Sequence, residues 1–373
     1  MNKTSSSVSD ALQTHIAQLI NISGGWLPFD AFMQTALYVP GLGYYTNGLP
    51  KLGSGAGSDF ITAPEMSPLF GQCLADQAAQ VLQATQTHSI YEFGAGSGIL
   101  ALQICERLAQ IPCRLDRYFI IEISSELRSR QQEVLKHLGD RVQWLDALPA
   151  QMQGVVIGNE VLDAMPVKLL ARIKGQWHER GVICEEGLLA WEDRPTALRP
   201  PIQIEGAHDY LTEIHPQQEA FVTTLAEHLH TGAAFFIDYG FPEAEYYHPQ
   251  RHMGTVMTHS LHKSGTDPLA VVGLKDITAH VNFTGCAVAA QDAGLDVLGY
   301  ATQGRFLLNC GLLSKAEQLT QIPRAQVAKL INEHEMGELF KVLALGKNLN
   351  NGLDSDSDFS LIGFTQGDRS HTL

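Results

Sequence analysis

The composition of this 373-residue chain, 45% hydrophobic and 17% charged, is typical of a folded globular protein with a large core. A formal net charge of −15 without any cluster of Lys and Arg argues against nucleic-acid binding, because phosphates require basic side chains. The six cysteines lie far apart and form no Cys-x-x-Cys pair, which favours neither a disulfide framework nor a metal site. No apolar run approaches the roughly 18 residues of a membrane span, and the N-terminus lacks an apolar signal region, so we expect a cytoplasmic protein.

The first 85 residues are expected to form an N-terminal helical or lid region. Apolar residues at helical spacing predict two helices within 9–38 and another over 67–83. Between them, the Gly-rich span 40–58 contains the pair Tyr44-Tyr45 and is too rich in glycine for a regular element. Such a span is typical of a surface loop, but it could also close over a ligand.

A glycine turn follows at Glu92-Phe93-Gly94-Ala95-Gly96-Ser97-Gly98, between a short apolar run and a helical pattern. This order of strand, turn and helix is typical of a nucleotide-type site. The spacing differs from the Gly-x-Gly-x-x-Gly of dinucleotide sites, where the helix N-terminus meets a pyrophosphate. A carboxylate at Glu92 would repel phosphate but attract an ammonium group, which points to S-adenosyl-L-methionine as the cofactor.

Acidic residues also end the next apolar runs, which we interpret as strands joined by helices. Glu122 could hold the two ribose hydroxyls of the cofactor, Asp146 could accept from the adenine amine, and Asn159 with Glu160 ends the following strand. Each acid alone could simply cap a helix, but four features in register favour the cofactor site. The alternation predicts an α/β fold with a doubly wound, mostly parallel sheet and its ligand at the carboxyl edge.

The patterns along the rest of the chain predict how it is divided into regions. The cofactor-binding core is expected to comprise 86–166 and 215–312, interrupted by an antiparallel β insertion at 167–214, and followed by a C-terminal helical segment at 313–347 and a flexible tail at 348–373. Within these regions the patterns predict a long loop over 246–276, helices over 276–294 and 314–345, and a last strand over 305–311.

Several stretches together resemble the MidA family of class I S-adenosylmethionine-dependent methyltransferases. Besides the glycine turn, they are Asp59–Glu65, Gly158–Ala164, Phe236–Gly240, Glu245–Arg251, Asp276–Phe283 and Met336–Leu343. The resemblance implies a Rossmann-like, seven-stranded fold and methylation of an arginine in a partner protein, as mitochondrial members do when they assist assembly of respiratory complex I. It therefore implies a protein substrate, with a respiratory-complex subunit as one candidate. A homodimer is a separate candidate for the oligomeric state, which the sequence does not decide. The stretch Thr258–Lys263 departs from the basic and aromatic sequence usual in the family.

The candidate catalytic residues are Glu160, Asp163 and His280. A pair of carboxylates suits a guanidinium group, which needs planar, multidentate binding; the alternative for Glu160 and Asp163 is to cap a following helix. His280 could accept a proton or act as a hydrogen-bonding strut, although a lone histidine in a helical pattern is more often structural.

Thr62 and Glu65 could close over the methionine end of the cofactor or cap the next helix. Tyr246, Tyr247, His248 and Arg251 could bind a protein segment or pack as a surface loop.

Two other functions remain open at the level of sequence. One is an assembly factor that binds the cofactor without turnover. The other is a dinucleotide-dependent oxidoreductase, which the glycine spacing disfavours.

Overall fold

The computed structural model of the chain describes residues 3–49, 62–260, 263–318, 324–349 and 360–373. The α-helices in these residues are α1 (Lys3–Ile22), α2 (Phe29–Tyr38), α3 (Ala63–Met66), α4 (Pro68–Thr85), α5 (Ile99–Gln110), α6 (Ser125–Leu135), α7 (Pro216–His228), α8 (Glu243–Tyr246), α9 (Phe283–Asp292), α10 (Gln303–Asn309), α11 (Leu312–Glu317), α12 (Arg324–Ile331) and α13 (Met336–Leu339). Short 3₁₀ helices lie at Lys136–Arg141, Ile362–Phe364 and Ser370–Thr372.

The strands are β1 (Leu27–Pro28), β2 (Ser89–Phe93), β3 (Arg117–Ile121), β4 (Val142–Leu145), β5 (Met152–Asn159), β6 (Lys168–Ile173), β7 (Gln176–Glu185), β8 (Leu188–Pro195), β9 (Tyr210–Ile214), β10 (Leu229–Phe241), β11 (Met257–Ser260), β12 (Lys263–Gly265), β13 (Asp276–Thr278), β14 (Val281–Asn282), β15 (Asp296–Thr302) and β16 (Phe340–Lys347).

The central sheet has the strand order β15-β16-β10-β5-β2-β3-β4, and the two-residue β14 pairs with β10 beside this path. The pairs from β10 through β4 are parallel, whereas β16 runs antiparallel to both of its neighbours. Successive residues of one strand face opposite cores: Val155 and Ile157 lie in the core that contains α4 and α5, and Val156 lies in the core that contains α7 and α9. The prediction of a doubly wound, mostly parallel α/β sheet is confirmed.

A second, antiparallel sheet follows β5 and has the order β1-β7-β6-β9, with β8 paired to β7. Its strand β1 comes from the N-terminal region, between α1 and α2. Residues of both helices and of β6 and β7 share one buried core, which includes Leu12, Phe32 and Val182. The β insertion and the N-terminal helices therefore pack as one layer beside the central sheet.

Several sequence-based assignments in the last third of the chain are wrong. The predicted loop over 246–276 contains most of a small antiparallel sheet, β12-β11-β13. The predicted helix over 276–294 begins only at Phe283, after β13 and β14. The predicted strand over 305–311 is helical, and the predicted helix over 314–345 comprises three short helices and part of β16, one of the sheet's interior strands.

The end of the chain packs onto the core, contrary to the prediction of a flexible tail, in the part that the structure describes (360–373). Leu361 and Phe364 belong to the main hydrophobic core. The Gly363 N–H donates to Gln77 Oε1 of α4 at 2.8 Å, and the Tyr300 N–H of β15 donates to Asp368 at 2.9 Å. These contacts attach the segment to both a helix and an edge strand of the central sheet.

Among the described residues, no helix combines the length and the apolar character that crossing a bilayer requires.

Candidate active site

The glycine turn connects β2 to α5 and adopts the backbone conformation that its sequence predicts. Gly94, Gly96 and Gly98 have φ angles of 60°, 53° and 84°, in the left-handed region that favours glycine. The Gly94 N–H donates to the Ile121 carbonyl at 3.0 Å, which ties the turn to β3. Gly94 and Gly96 line a cavity, whereas Gly98 starts α5 and faces Gln131 of α6. Gly94 and Gly96 therefore expose their backbone to the cavity, with no side chain between it and a ligand.

Glu92 and Glu122, at the ends of β2 and β3, both line this cavity. Glu92 is 2% exposed and accepts the Tyr118 hydroxyl at 2.7 Å, and burial raises the pKa of Glu92 to about 7. Glu122 accepts the Ser124 N–H at 2.8 Å and the Gln131 amide at 2.9 Å, which fix both carboxylate oxygens. Burial also raises the pKa of Glu122.

Asp146 does not reach the cavity, which departs from the role expected of it. Its side chain is 85% exposed and forms an ion pair with Arg128 at 2.6 Å. Ile123, which directly follows Glu122, lines the cavity instead with an apolar side chain that is 65% exposed.

The cavity has a volume of about 880 Å³, within the range of small-molecule sites. It is bounded by the glycine turn, by the ends of β3 and β5, by α7, and by α2 with the turn that follows it. The lining residues from outside the glycine turn and the strand ends include Gln34, Tyr38, Tyr45, Thr46, Thr62, Glu65, Gln217, Phe221 and Thr224.

Thr62 and Glu65 lie on the cavity wall, as the cofactor-closing interpretation requires. Thr62 precedes α3, but its side chain makes no capping hydrogen bond. Residues 59–61, the start of the motif that contains them, lie outside the described residues, as do residues 50–58 of the Gly-rich span.

Glu160 projects from the turn after β5 and lines the cavity. Its φ angle of 55° lies in the left-handed region, which is costly for a residue with a side chain. The Asn159 amide donates to Glu160 Oε1 at 3.1 Å. Burial raises the pKa of Glu160 to about 8, with a further contribution from the negative charge of Asp163. The described residues between β5 and β6 form no helix, so neither Glu160 nor Asp163 caps one there.

Asp163 lies at the back of the same turn, 5% exposed, and is not itself a lining residue. It accepts a hydrogen bond from the Tyr239 hydroxyl, and burial raises the pKa of Asp163 to about 6. The turn is held by Asp238 of β10, whose Oδ2 accepts the three consecutive N–H groups of Val161, Leu162 and Asp163 at 3.0–3.2 Å.

His280 lies behind Tyr239 rather than on the cavity wall. The two rings meet edge to face with centroids 5.2 Å apart, and the backbone N–H of His280 donates to Thr255 Oγ1 at 3.0 Å. Burial lowers the pKa of His280 to about 4, so the ring is neutral near pH 7. The ring lies against Tyr239, and its Nδ1 has no hydrogen-bond partner among the described residues, so any support that it gives to Tyr239 comes from packing.

The loop residues after β10 form a buried network rather than a binding surface. Tyr246 and Tyr247 are almost fully buried, and the Tyr246 hydroxyl donates to Glu213 at 2.9 Å. The Tyr247 hydroxyl donates to the Glu213 carbonyl at 3.0 Å. Arg251 lies over the Phe241 ring, 3.7 Å from its centroid, and His248 is exposed.

Sequence reasoning did not identify Tyr38, Tyr45, Phe221 or Asp238 as functional. For Tyr45, the available signal was the Tyr44-Tyr45 pair within a Gly-rich span. For Asp238, it was the position of an acid at the end of an apolar run. Phe221 lies on an ordinary amphipathic helix, and its pattern does not distinguish a cavity wall from a core.

The polar groups of the cavity fit S-adenosyl-L-methionine. Asn159 Oδ1 is buried and has no hydrogen-bond partner among the described residues, so an ammonium group could satisfy it. The oriented carboxylate of Glu122 retains lone pairs for hydroxyl donors, and Glu92 adds a second acidic group beside the glycine turn.

Comparison with known proteins points to the same chemistry. The model of a family described as "Putative S-adenosyl-L-methionine-dependent methyltransferase" matches residues 73–301. A COG1565 superfamily member from Burkholderia thailandensis, whose crystal structure contains S-adenosyl-homocysteine, is 46% identical, with a TM-score of 0.94 over 100% of this chain and 99% of that chain.

Two mitochondrial relatives are more distant. Protein arginine methyltransferase NDUFAF7 of Danio rerio is 28% identical over 92% of this chain and 88% of its own length. Its Caenorhabditis elegans homologue is 26% identical over 90% and 86% of the two lengths. Since the family model covers more than half of the sequence and agrees with the cavity described above, the chain belongs to this family of S-adenosyl-L-methionine-dependent methyltransferases.

Proposed function

We propose that this methyltransferase transfers the methyl group of S-adenosyl-L-methionine to an arginine side chain of a partner protein. The observation that carries the proposal is the carboxylate pair on the turn after β5. Glu160 lines the cavity, and Asp163 is near enough for its charge to raise the pKa of Glu160. Two acids beside a cofactor cavity are costly to ionise together, and a bound cation would relieve that cost.

A guanidinium group matches these acids in charge, and Glu160 is the one of the two that lines the cavity and can contact it. Its planar array of N–H donors pairs with carboxylates, which position a nitrogen for in-line attack on the methyl carbon. The new N–C bond forms as the C–S bond of the sulfonium breaks, and the methylated nitrogen loses a proton. Ionised Glu160 is the acceptor we assign for that proton, whereas His280 acts from behind Tyr239 as a support.

The names of the relatives support an arginine substrate in a protein. NDUFAF7 from fish and nematode are both named protein arginine methyltransferases. The MidA resemblance adds a respiratory-complex subunit as a candidate partner. We place the chemistry at Glu160, with Asp163 holding Tyr239 beneath it.

The proposal is tested by supplying labelled S-adenosyl-L-methionine and the purified protein to an extract of cells that lack the gene. Amino-acid analysis of the labelled proteins should recover methylarginine, and mass spectrometry should locate the modified site. Label recovered only in methyl-lysine or in a methyl ester would refute the arginine assignment.

A matched variant separates turnover from cofactor binding alone. Glu160→Gln should bind S-adenosyl-L-methionine like the parent and lose at least about a hundredfold in methyl transfer. If cells carrying Glu160→Gln in place of the parent gene behave normally and the parent protein labels nothing, an assembly factor without turnover is the better description.

A further inference from the structure

Two tyrosines from the N-terminal region form an aromatic wall of the cavity. Tyr38 at the end of α2 and Tyr45 in the following turn both line it. Their rings stack with centroids 5.5 Å apart and an interplanar angle of 16°. Tyr44 packs its edge against Tyr45, with centroids 5.0 Å apart, from the buried core. The wall is thus supported from behind.

The hydroxyl groups of these two tyrosines form hydrogen bonds with the turn that carries Glu160 and with a buried carboxylate. The Tyr38 hydroxyl donates to the Ala164 carbonyl at 2.8 Å, directly after Asp163. The Tyr45 hydroxyl donates to both oxygens of the Asp276 carboxylate, at 3.0 and 2.9 Å. Burial keeps the pKa of both tyrosines well above the ordinary value, so the phenols stay neutral.

Neutral aromatic rings beside carboxylates are expected to bind a planar guanidinium more tightly than an alkylammonium. A guanidinium is planar, weakly hydrated and stacks on aromatic faces, whereas an alkylammonium is compact and strongly hydrated. We propose that Tyr38 and Tyr45 are substrate-binding residues against which the guanidinium stacks, and that this wall selects a planar cation over an alkylammonium. The inference rests on the arginine substrate proposed above.

Binding of two small probes tests the wall without the natural partner. The protein saturated with S-adenosyl-homocysteine is titrated calorimetrically with ethylguanidinium and with propylammonium. The parent should bind ethylguanidinium at least about fivefold more tightly, and Tyr38→Leu and Tyr45→Leu should each lose about fivefold for that probe. Tyr45→Phe, which keeps the ring, should lose less than Tyr45→Leu.

Tyr247→Phe is the matched control, because it removes a buried tyrosine hydroxyl that bonds the Glu213 carbonyl, away from the cavity. It should bind both probes like the parent. The affinity for S-adenosyl-homocysteine is measured for every variant and identifies any variant that fails to fold. If a leucine variant does not fold, the inference is still tested by Tyr45→Phe and by the ratio of the parent's affinities for the two probes.

Equal ethylguanidinium affinity in the parent and the leucine variants would overturn the inference and leave the arginine function intact. A parent that binds neither probe, or prefers propylammonium, would also overturn it. The methylarginine assay decides the arginine function independently of either result.

Discussion

Glu160 combines two unfavourable features at one residue, a left-handed backbone and a buried carboxyl group. Such features persist where the surrounding structure imposes them, and they cluster at functional sites. The surroundings here are the Asn159 amide and the turn that Asp238 holds. We therefore expect Glu160 to cost stability, and that cost should depend on pH.

Glu160→Gln should stabilise the protein at alkaline pH. Because the folded pKa of about 8 lies above the unfolded value near 4.5, the folded state binds the extra proton between these values, and stability falls as pH rises through this window. The glutamine variant lacks this loss, so its free energy of unfolding should exceed that of the parent by on the order of 2 kcal/mol at pH 9 and differ little near pH 5.

Urea unfolding at the two pH values measures this difference. Glu317→Gln, at an exposed position of α11, should leave the pH dependence unchanged. Parallel stability curves for the parent and Glu160→Gln would show that the carboxyl group is not held in its uncharged form.

Asp238 is the residue whose replacement should separate catalysis from cofactor binding. Its Oδ2 accepts three N–H groups of the turn and its Oδ1 accepts the Tyr239 N–H at 3.0 Å, whereas asparagine offers only one acceptor oxygen. Asp238→Asn should displace Glu160 and lower kcat by roughly a hundredfold. The dissociation constant for S-adenosyl-L-methionine should change much less than kcat, because Glu92 and Glu122 lie on other strands and only Asn159 among the proposed cofactor contacts adjoins the displaced turn.

The kcat and the cofactor affinity are measured separately on the acceptor found in the labelling assay. Asp296→Asn, an exposed acid at the start of β15, is the control and should alter neither quantity. A parallel loss of affinity and turnover in Asp238→Asn would indicate general destabilisation instead.

At the scale of elements, the carboxyl ends of β3 and β4 do not contribute equally to the site. Both strands end near an acid in the sequence, but Glu122 is fixed on the cavity wall while Asp146 points to solvent and pairs with Arg128. Alternation of strands and helices predicts which edge of the sheet binds a ligand. It does not predict the direction of a side chain that follows the last paired residue, because that depends on the local turn.

Cofactor affinity should therefore respond to one of these acids only. Glu122→Gln removes a charged acceptor and should weaken S-adenosyl-L-methionine binding by on the order of tenfold. Asp146→Asn should change it less than about twofold. Calorimetric titration of both variants checks the ranking, and the reverse ranking would restore the adenine-binding role that the sequence suggested for Asp146.

The wrong prediction of a helix through residue 345 has a physical cause. β16 is a continuous apolar run, Val342 to Leu345, buried on both faces between β10 and β15. Such a run lacks the alternation of a half-buried strand and follows a helical stretch, so periodicity cannot distinguish it from a buried helix. The strands with terminal acids and the glycine turn were predicted correctly, because turn chemistry marks their limits.

At the scale of the whole molecule, the N-terminal and C-terminal segments both complete cores that local patterns do not reveal. The N-terminal helices share a core with the β insertion, and α2 with the turn after it supplies Tyr38 and Tyr45 to the cavity. The segment 360–373 has a mostly polar composition, and it packs onto the core through a few apolar residues such as Leu361 and Phe364. Contacts between residues 68 and 286 positions apart are not visible in a sequence window.

Phe364 is the residue through which the C-terminal segment should contribute most stability. It is 6% exposed, its ring lies 5.4 Å from that of Phe306, and it covers Gly299 of β15. Phe364→Ala should lower the free energy of unfolding by about 3 kcal/mol, because a buried aromatic ring is lost and a cavity remains. Gln366→Ala, exposed two residues later, should change it by less than about 0.5 kcal/mol. Equal unfolding free energies for the two variants would mean that the segment is dispensable, whereas the expected difference would make it part of the domain core.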